Sequence, residues 1–161
     1  MKNLNCLVNA YKEQLNKEDL PYAYTKLIKY VVGLKTRFSK TFAQEFVFGS
    51  IFQGYMDYTY FYISNEYLKN RKLKFGLVLN HREMRFEVWL LGQTKQIQKK
   101  YWDLLKTTKW VTSEEIPQYS VFAITIVESP DFNDLDALSL EIEGELELIT
   151  NEMLASLRML D

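Results

Sequence analysis

The spacing of apolar residues near the start of the chain predicts two amphipathic helices. The first covers residues 3–17, and the second begins near residue 20 and runs to about residue 38. The apolar positions are Leu4, Leu7, Val8, Tyr11 and Leu15 in the first helix, and Leu20, Leu27, Ile28, Val31, Leu34 and Phe38 in the second. The first helix is therefore expected to be amphipathic, with one apolar side that packs on another surface.

From residue 46 to residue 63 the apolar pattern changes from the helical period to the period of two that is typical of a β-strand. Gly49 and Gly54 interrupt this alternation, and a glycine within a strand pattern marks a bend, a bulge or a turn. The segment is therefore either one bent strand or a hairpin that turns near Gln53 and Gly54.

Residues 73–79 and 85–91 are the clearest strands of the chain, and a loop at residues 80–84 separates them. This spacing predicts an antiparallel hairpin. The alternation also predicts the faces: Leu73, Phe75, Leu77 and Leu79 together, Phe86, Val88 and Leu90 together, and Arg85, Glu87 and Trp89 opposite.

A further helix and strand follow this hairpin. Thr94 is a suitable N-cap for a helix that runs to about residue 108. The apolar run 119–127 is typical of a strand covered on both faces. A strand, a helix and a second strand in this order suggest a crossover that makes the two strands parallel. The inward positions of the helix are predicted to be Ile97, Tyr101, Leu104 and Leu105.

The last segment carries a helical stripe of apolar residues from residue 135 to residue 160. Residues 140–148 also alternate with a period of two, and Gly144 weakens a helix by about 1 kcal/mol. We favour a helix because Leu, Glu, Ala and Met dominate and β-branched residues are scarce. The whole pattern predicts one α+β domain over residues 1–161, with a mostly antiparallel sheet, covering helices and the order α-α-β-β-β-α-β-α.

Composition places the chain among ordinary soluble domains, with 47% apolar and 25% charged residues. The single cysteine, Cys6, cannot form an internal disulfide, so nothing indicates an oxidising compartment. No apolar run approaches the roughly 18 residues of a membrane span, and the N-terminus lacks the pattern of a signal peptide. We therefore expect a cytoplasmic protein without a membrane partner.

The formal net charge of −1 conceals an uneven distribution. Residues 1–127 carry 19 Lys and Arg against 11 Asp and Glu, whereas residues 128–161 carry one Arg against 10 acidic residues. The simpler interpretation is that an acidic terminal element packs beside a basic body. The alternative is a basic surface that binds nucleic acid or another polyanion, for which the support is weak.

Common catalytic and cofactor motifs are missing, including GxGxxG, GxxxxGK[ST], CxxC, HExxH and GxSxG. We therefore predict no cofactor and assign no metal site. The best candidate for a ligand site is a set of residues that alternate on otherwise apolar strands. They are Gln53, Tyr55 and Asp57 in one segment and Arg85, Glu87 and Trp89 in another.

These six residues support more than one interpretation. Carboxylates that lie close together can bind a divalent cation or shift each other's pKa for acid–base chemistry. The simpler interpretation is an exposed sheet face on which Arg85 pairs with Asp57 or Glu87 across strands. The first interpretation requires Asp57 and Glu87 to converge in one pocket. A separate candidate is an anion site formed by His81 and Arg82 at the predicted hairpin tip, although such turns are usually only solvated.

The order of helices and strands also resembles the core of the PD-(D/E)xK nucleases. In that family a strand Asp and a Glu-x-Lys on the next strand hold magnesium, and Glu87 lies at a suitable position. Trp89, however, stands where the catalytic Lys is expected, and Asp57 lies one strand too early. The resemblance therefore implies at most a degenerate, non-catalytic relative.

Four stretches, GSIFQGYMDYTYF, LNHREMRFEVWLLG, KYWDLL and SPDFNDLD, resemble a family of uncharacterised bacterial proteins of about 160 residues. The resemblance covers nearly the whole chain. It implies a compact stand-alone domain in a bacterial cytoplasm, and it brings no activity, cofactor or site residue with it.

Two hypotheses about function follow. The first is a binding or interaction domain without catalytic activity, whose partner is an unknown small molecule or protein. The second is a metal-dependent hydrolase or nuclease-like protein that uses Asp57 and Glu87. The sequence leaves the choice between enzyme and binding domain open, and it sets no oligomeric state.

Overall fold

The computed structural model describes residues 3–161, which form one five-stranded sheet and five helices. The helices are α1 (Leu4–Leu15), α2 (Asp19–Thr41), α3 (Glu66–Asn70), α4 (Lys95–Leu105) and α5 (Leu135–Arg158). The strands are β1 (Val47–Phe52), β2 (Tyr58–Ser64), β3 (Leu73–Asn80), β4 (Arg85–Gly92) and β5 (Phe122–Val127). The predicted α+β class and the order of the elements are confirmed.

All five strands are antiparallel, and each pairs with its neighbours in the chain, in the order β1-β2-β3-β4-β5. The predicted parallel crossover is therefore wrong. The chain after α4 turns back and pairs with the free edge of β4, where the backbone N–H of Val121 donates to the carbonyl of Leu90 at 2.8 Å. Because β5 is an edge strand with an exposed Ala123, the prediction that it is covered on both faces is also wrong.

The segment from residue 46 to residue 63 is a hairpin, the second of the two predicted alternatives. Strand β1 ends at Phe52, and β2 begins at Tyr58. The turn between them depends on Gly54, whose φ of +75° is a conformation that side chains with a Cβ rarely adopt.

The sheet has one face packed on helices. Strand β2 alternates as predicted, with Thr59, Phe61 and Ile63 fully buried on the packed face. The predicted apolar faces of β3 and β4 join them in the core. The helices contribute Val31, Leu34 and Phe38 from α2, Tyr101 and Leu105 from α4, and Leu138, Ile142, Leu146, Met153 and Leu157 from α5.

The opposite face of the sheet, which we call the open face, carries Tyr58, Tyr60, Tyr62, Val78 and Trp89. None of these five residues belongs to the core cluster, which contains the buried apolar side chains of α2, α4 and α5. The open face is therefore where the sheet is available to a ligand.

Helix α5 settles the competing interpretations of residues 140–148, which are helical throughout. Its acidic side meets the basic body: Arg37 pairs with Glu143 at 2.6 Å, and Lys109 pairs with Glu152 at 2.8 Å. These contacts agree with the simpler interpretation of the uneven charge.

The apolar side of α1 is not buried by the described chain. Leu4 is 73% exposed and Tyr11 57% exposed, and α1 buries none of its side chains.

Two smaller predictions are corrected: α4 ends at Leu105 rather than near residue 108, and Leu104 points to solvent. Within residues 3–161, no helix combines the length and hydropathy required to cross a membrane.

We predict that Gly54→Ala destabilises the fold by about 2 kcal/mol or more, because alanine would have to adopt the positive φ of this position, which a Cβ disfavours. The added atom would also lie 2.0 Å from the carbonyl oxygen of Tyr58. Gly144→Ala in α5 is the control: apart from the adjacent residues and the backbone of its own helix, no atom lies within 4 Å of its Cβ, and alanine favours a helix by about 0.5–1 kcal/mol. Denaturant unfolding of both variants measures the two effects, and equal stability of the variants would contradict this role of Gly54.

Candidate ligand-binding site

Antiparallel register arranges the side chains of the open face in rows across the strands. In the central row, Gly76 lies between Tyr62 and Trp89, and Ala123 lies beyond Trp89. Large rings thus alternate with residues that have little or no side chain. The row therefore has a gap at its centre, above Gly76.

This gap is the floor of a hollow of about 490 Å³. The hollow is lined by Gly54, Tyr55, Asp57, Tyr58, Tyr60, Tyr62, Gly76, Val78, Trp89, Leu91 and Tyr119. The backbone of Gly76 does not have a positive φ, so the effect of this glycine is to leave space rather than to permit a special conformation. A Cβ at this position would lie 3.1 Å from a terminal methyl of Leu91 and would project from the floor.

The rings around the hollow hold one another in place. The ring centroids of Tyr58 and Trp89 are 5.0 Å apart in an edge-to-face arrangement, and Phe52 stacks on Tyr60, also at 5.0 Å. Burial, followed by the neighbouring Tyr62 hydroxyl, raises the pKa of Tyr60 to about 12. The Tyr60 side chain is therefore a neutral phenol throughout the physiological range.

Asp57 lies at the rim, in the turn between β1 and β2. Its Oδ1 accepts the backbone N–H groups of Tyr55 at 2.8 Å and of Tyr58 at 2.6 Å. These two hydrogen bonds lower the pKa of Asp57 below its ordinary value, since they stabilise the ionised form. Of the described residues that line the hollow, only Asp57 carries a charge at neutral pH.

Tyr119 reaches the rim from the loop before β5. The buried amide of Gln98 holds this loop by donating to the carbonyls of Pro117 and Ser120, both at 2.7 Å. Sequence reasoning missed Tyr119 as a site residue because it placed this residue at the start of the predicted strand 119–127, whereas β5 begins only at Phe122.

The predicted site residues divide into two groups in the structure. Gln53, Tyr55 and Asp57 belong to the turn rather than to a strand, because the chain leaves β1 at Phe52. Their predicted alternation on one strand face is therefore wrong. Tyr55 and Asp57 nevertheless line the hollow together with Trp89.

Gln53, Arg85 and Glu87 do not line the hollow. Glu87 is 3% exposed and accepts hydrogen bonds from Arg85 at 2.8 Å and from the indole of Trp89 at 2.7 Å. A third donor, the amide of Asn80, lies 3.2 Å away. The carboxylate of Glu87 thus orients Trp89 and neutralises Arg85. Within residues 3–161, no group of three or more His, Cys, Asp or Glu side chains is placed to hold a metal ion.

His81 and Arg82, the candidate anion site, follow β3. The Thr59 hydroxyl donates to the carbonyl of Gln53 at 2.8 Å, so its lone pairs remain to accept from Nε2–H of His81 at 2.7 Å. Burial lowers the pKa of His81, which makes the ring neutral at pH 7. Arg82 is exposed. The neutral ring offers an anion no charge, so the candidate anion site is reduced to Arg82.

The residues that sequence reasoning did not assign to a site are Tyr58, Tyr60, Tyr62, Gly76, Val78, Leu91 and Tyr119. The alternation of the three tyrosines in β2 was visible in the sequence. The sequence did not reveal the register between neighbouring strands, which places Gly76 between two of the large rings.

A family model described as "Domain of unknown function (DUF7000)" matches residues 4–157, nearly the whole chain. The chain therefore belongs to this family, which confirms the resemblance to a family of uncharacterised proteins of about 160 residues. No curated protein and no solved structure matches it significantly.

We predict that Glu87→Ala lowers the free energy of unfolding by about 2–3 kcal/mol, because it leaves Arg85 and the Trp89 indole without their buried acceptor. Glu128→Ala is the control, since Glu128 contacts the same Arg85 at 3.6 Å but is largely exposed. It should cost less than about 1 kcal/mol. Denaturant unfolding with and without Mg²⁺ or Mn²⁺ measures both. A stabilisation by either ion that Glu87→Ala abolishes would favour a metal site.

We predict that the pKa of His81 lies below its ordinary value of 6.5. The folded state then binds a proton less readily than the unfolded state, so stability is complete above about pH 6.5 and falls as the pH drops toward the folded pKa. NMR titration of the single histidine measures this pKa, and His81→Gln should flatten the pH dependence of unfolding between pH 7.5 and 5.5. A folded pKa above 6.5 would instead support anion binding.

Proposed function

We propose that this member of the DUF7000 family is a small-molecule-binding domain without catalytic activity, and that the hollow on its open face holds the ligand. One observation carries the proposal: Gly76 leaves a ring-lined gap in the middle of a sheet whose other face is fully packed. A glycine in the interior of a strand weakens it, which makes a role for the empty space the natural explanation.

The dimensions and lining of the hollow suit a small organic molecule. Its volume of about 490 Å³ lies within the roughly 300–1,000 Å³ of ligand pockets in proteins. Most of the lining is apolar or aromatic, and a few polar groups, namely the tyrosine hydroxyls and Asp57, are available to orient a ligand. A flat or compact molecule can stack on these rings.

A small molecule fits the floor of the hollow better than a protein surface does. Val78 is 1% exposed and Trp89 9% exposed, although both face the side of the sheet away from the helices. Such recessed residues cannot be reached by a flat protein patch, and the partly exposed rings above them form the surface that a small ligand would contact. The exposed rings of Tyr55 and Tyr119 at the rim are free to fold over a bound molecule.

The metal-dependent alternative has no comparable support. It needs the carboxylates of Asp57 and Glu87 to share a ligand, whereas Glu87 already accepts from Arg85, Trp89 and Asn80.

We also propose a cytoplasmic location, since the exposed free thiol of Cys6 fits a reducing compartment.

The proposal is tested with a neutral apolar dye, N-phenyl-1-naphthylamine, whose emission rises in apolar surroundings. We predict that the wild type binds the dye and that Gly76→Val abolishes binding, because the valine methyls occupy the hollow. Unfolding free energy should stay within about 1 kcal/mol of the wild type, since valine favours a strand and Leu91 has a flexible tip. Gly76→Ala is the smaller substitution if valine disturbs folding.

The exposed apolar side of α1 is the competing site for such a dye, and Leu7→Gln is the matched control. Leu7 is 51% exposed and lies outside the hollow. This variant should bind the dye as the wild type does. Loss of binding in Leu7→Gln together with full binding in Gly76→Val would contradict the proposal.

A further inference from the structure

The ring content and charge of the hollow narrow the class of its ligand. Aromatic rings make up more than half of the lining: Tyr55, Tyr58, Tyr60, Tyr62, Trp89 and Tyr119. The one charge, on Asp57, is negative. Aromatic faces carry negative electrostatic potential, so the rings and Asp57 together favour a cation, although Lys74 beside Tyr62 and Arg82 near Asp57 oppose it from outside the lining.

An ammonium group of the protein already contacts one of these rings. The Nζ of Lys74 lies 3.5 Å from the ring centroid of Tyr62, within the distance at which cation–π attraction acts. Lys74 does not line the hollow itself. The contact has the geometry of a cation–π interaction between an ammonium group and a ring of the open face.

Asp57 has an oxygen available for such a ligand. Both backbone hydrogen bonds of the turn go to its Oδ1. Its Oδ2 accepts no hydrogen bond from residues 3–161. The carboxylate thus stabilises the turn with one oxygen and keeps the other for a ligand, at a residue that lines the hollow.

The apolar part of the lining suits one kind of cation in particular. A primary ammonium requires hydrogen-bond acceptors for its protons, whereas a methylated ammonium requires apolar contact and a diffuse negative potential. Val78, Leu91 and the bare backbone at Gly76 supply apolar contact, and the rings supply the potential. Recognition of quaternary ammonium groups by aromatic cages relies on this combination.

We propose that the hollow binds an organic cation and recognises its methylated ammonium group through the rings of Tyr58, Tyr60 and Trp89 and the carboxylate of Asp57. This inference rests on the proposed function, and it adds the charge and chemical class of the ligand.

Choline and its neutral isostere 3,3-dimethylbutan-1-ol test the inference as a pair. The two molecules have nearly the same shape and differ in the charge at the central atom. Each has a nine-proton methyl singlet, which aromatic rings shift upfield in ¹H NMR. We expect the wild type to shift both signals and to bind choline about tenfold more tightly than the alcohol.

Two variants locate the charge selectivity. Asp57→Asn keeps an oxygen that accepts from the Tyr55 and Tyr58 N–H groups, so the turn is retained while the charge is lost. It should weaken choline binding by about threefold and leave the alcohol unchanged. Lys74→Met removes the competing ammonium from Tyr62, and it should strengthen choline binding by about twofold.

The outcomes separate the inference from the proposed function. If the alcohol binds as tightly as choline, or if benzoate binds more tightly than either, the inference is overturned while a ligand-binding hollow stands. The same holds if the neutral dye binds and choline does not. If neither the dye nor choline binds the wild type, the proposed function fails and the inference fails with it.

Discussion

The backbone ladder that joins β2, β3 and β4 is the constraint on which both the core and the candidate site depend. Strands β3 and β4 pair without interruption from Leu73 opposite Gly92 to Asn80 opposite Arg85. Because side chains alternate between the faces, a shift of one residue would move the apolar set to the wrong face. The packed core therefore holds the register, and the register places Gly76 beside Tyr62 and Trp89 on the other face.

The two faces of the sheet use their side chains differently. On the packed face, close-fitting apolar residues from α2, α4 and α5 exclude water and stabilise the fold. On the open face, one glycine leaves space, and the buried carboxylate of Glu87 holds Trp89 in position. Because the packed face supports the hollow rigidly, few protein side chains would need to become ordered when a ligand binds, which lowers the entropic cost of binding.

Local patterns predicted the elements well and their arrangement less well. The 73–79 and 85–91 hairpin was predicted with its faces because a short loop and a period of two leave little choice. The orientation of β5 was predicted incorrectly, since a helix between two strands usually implies a crossover. Here the chain after α4 folds back to the edge of β4, and the buried amide of Gln98 anchors the returning loop.

The sequence by itself determined the α+β class and the apolar faces of β3 and β4, and it favoured the helical state of α5, because apolar periodicity reports local geometry directly. It also marked Tyr55, Asp57 and Trp89 as candidates. Only the tertiary structure decided that these three line one hollow and that Glu87 is a buried support. The register between strands and the path of the loop before β5 are set by packing between distant segments. The periodicity of apolar residues within one segment contains no information about that packing.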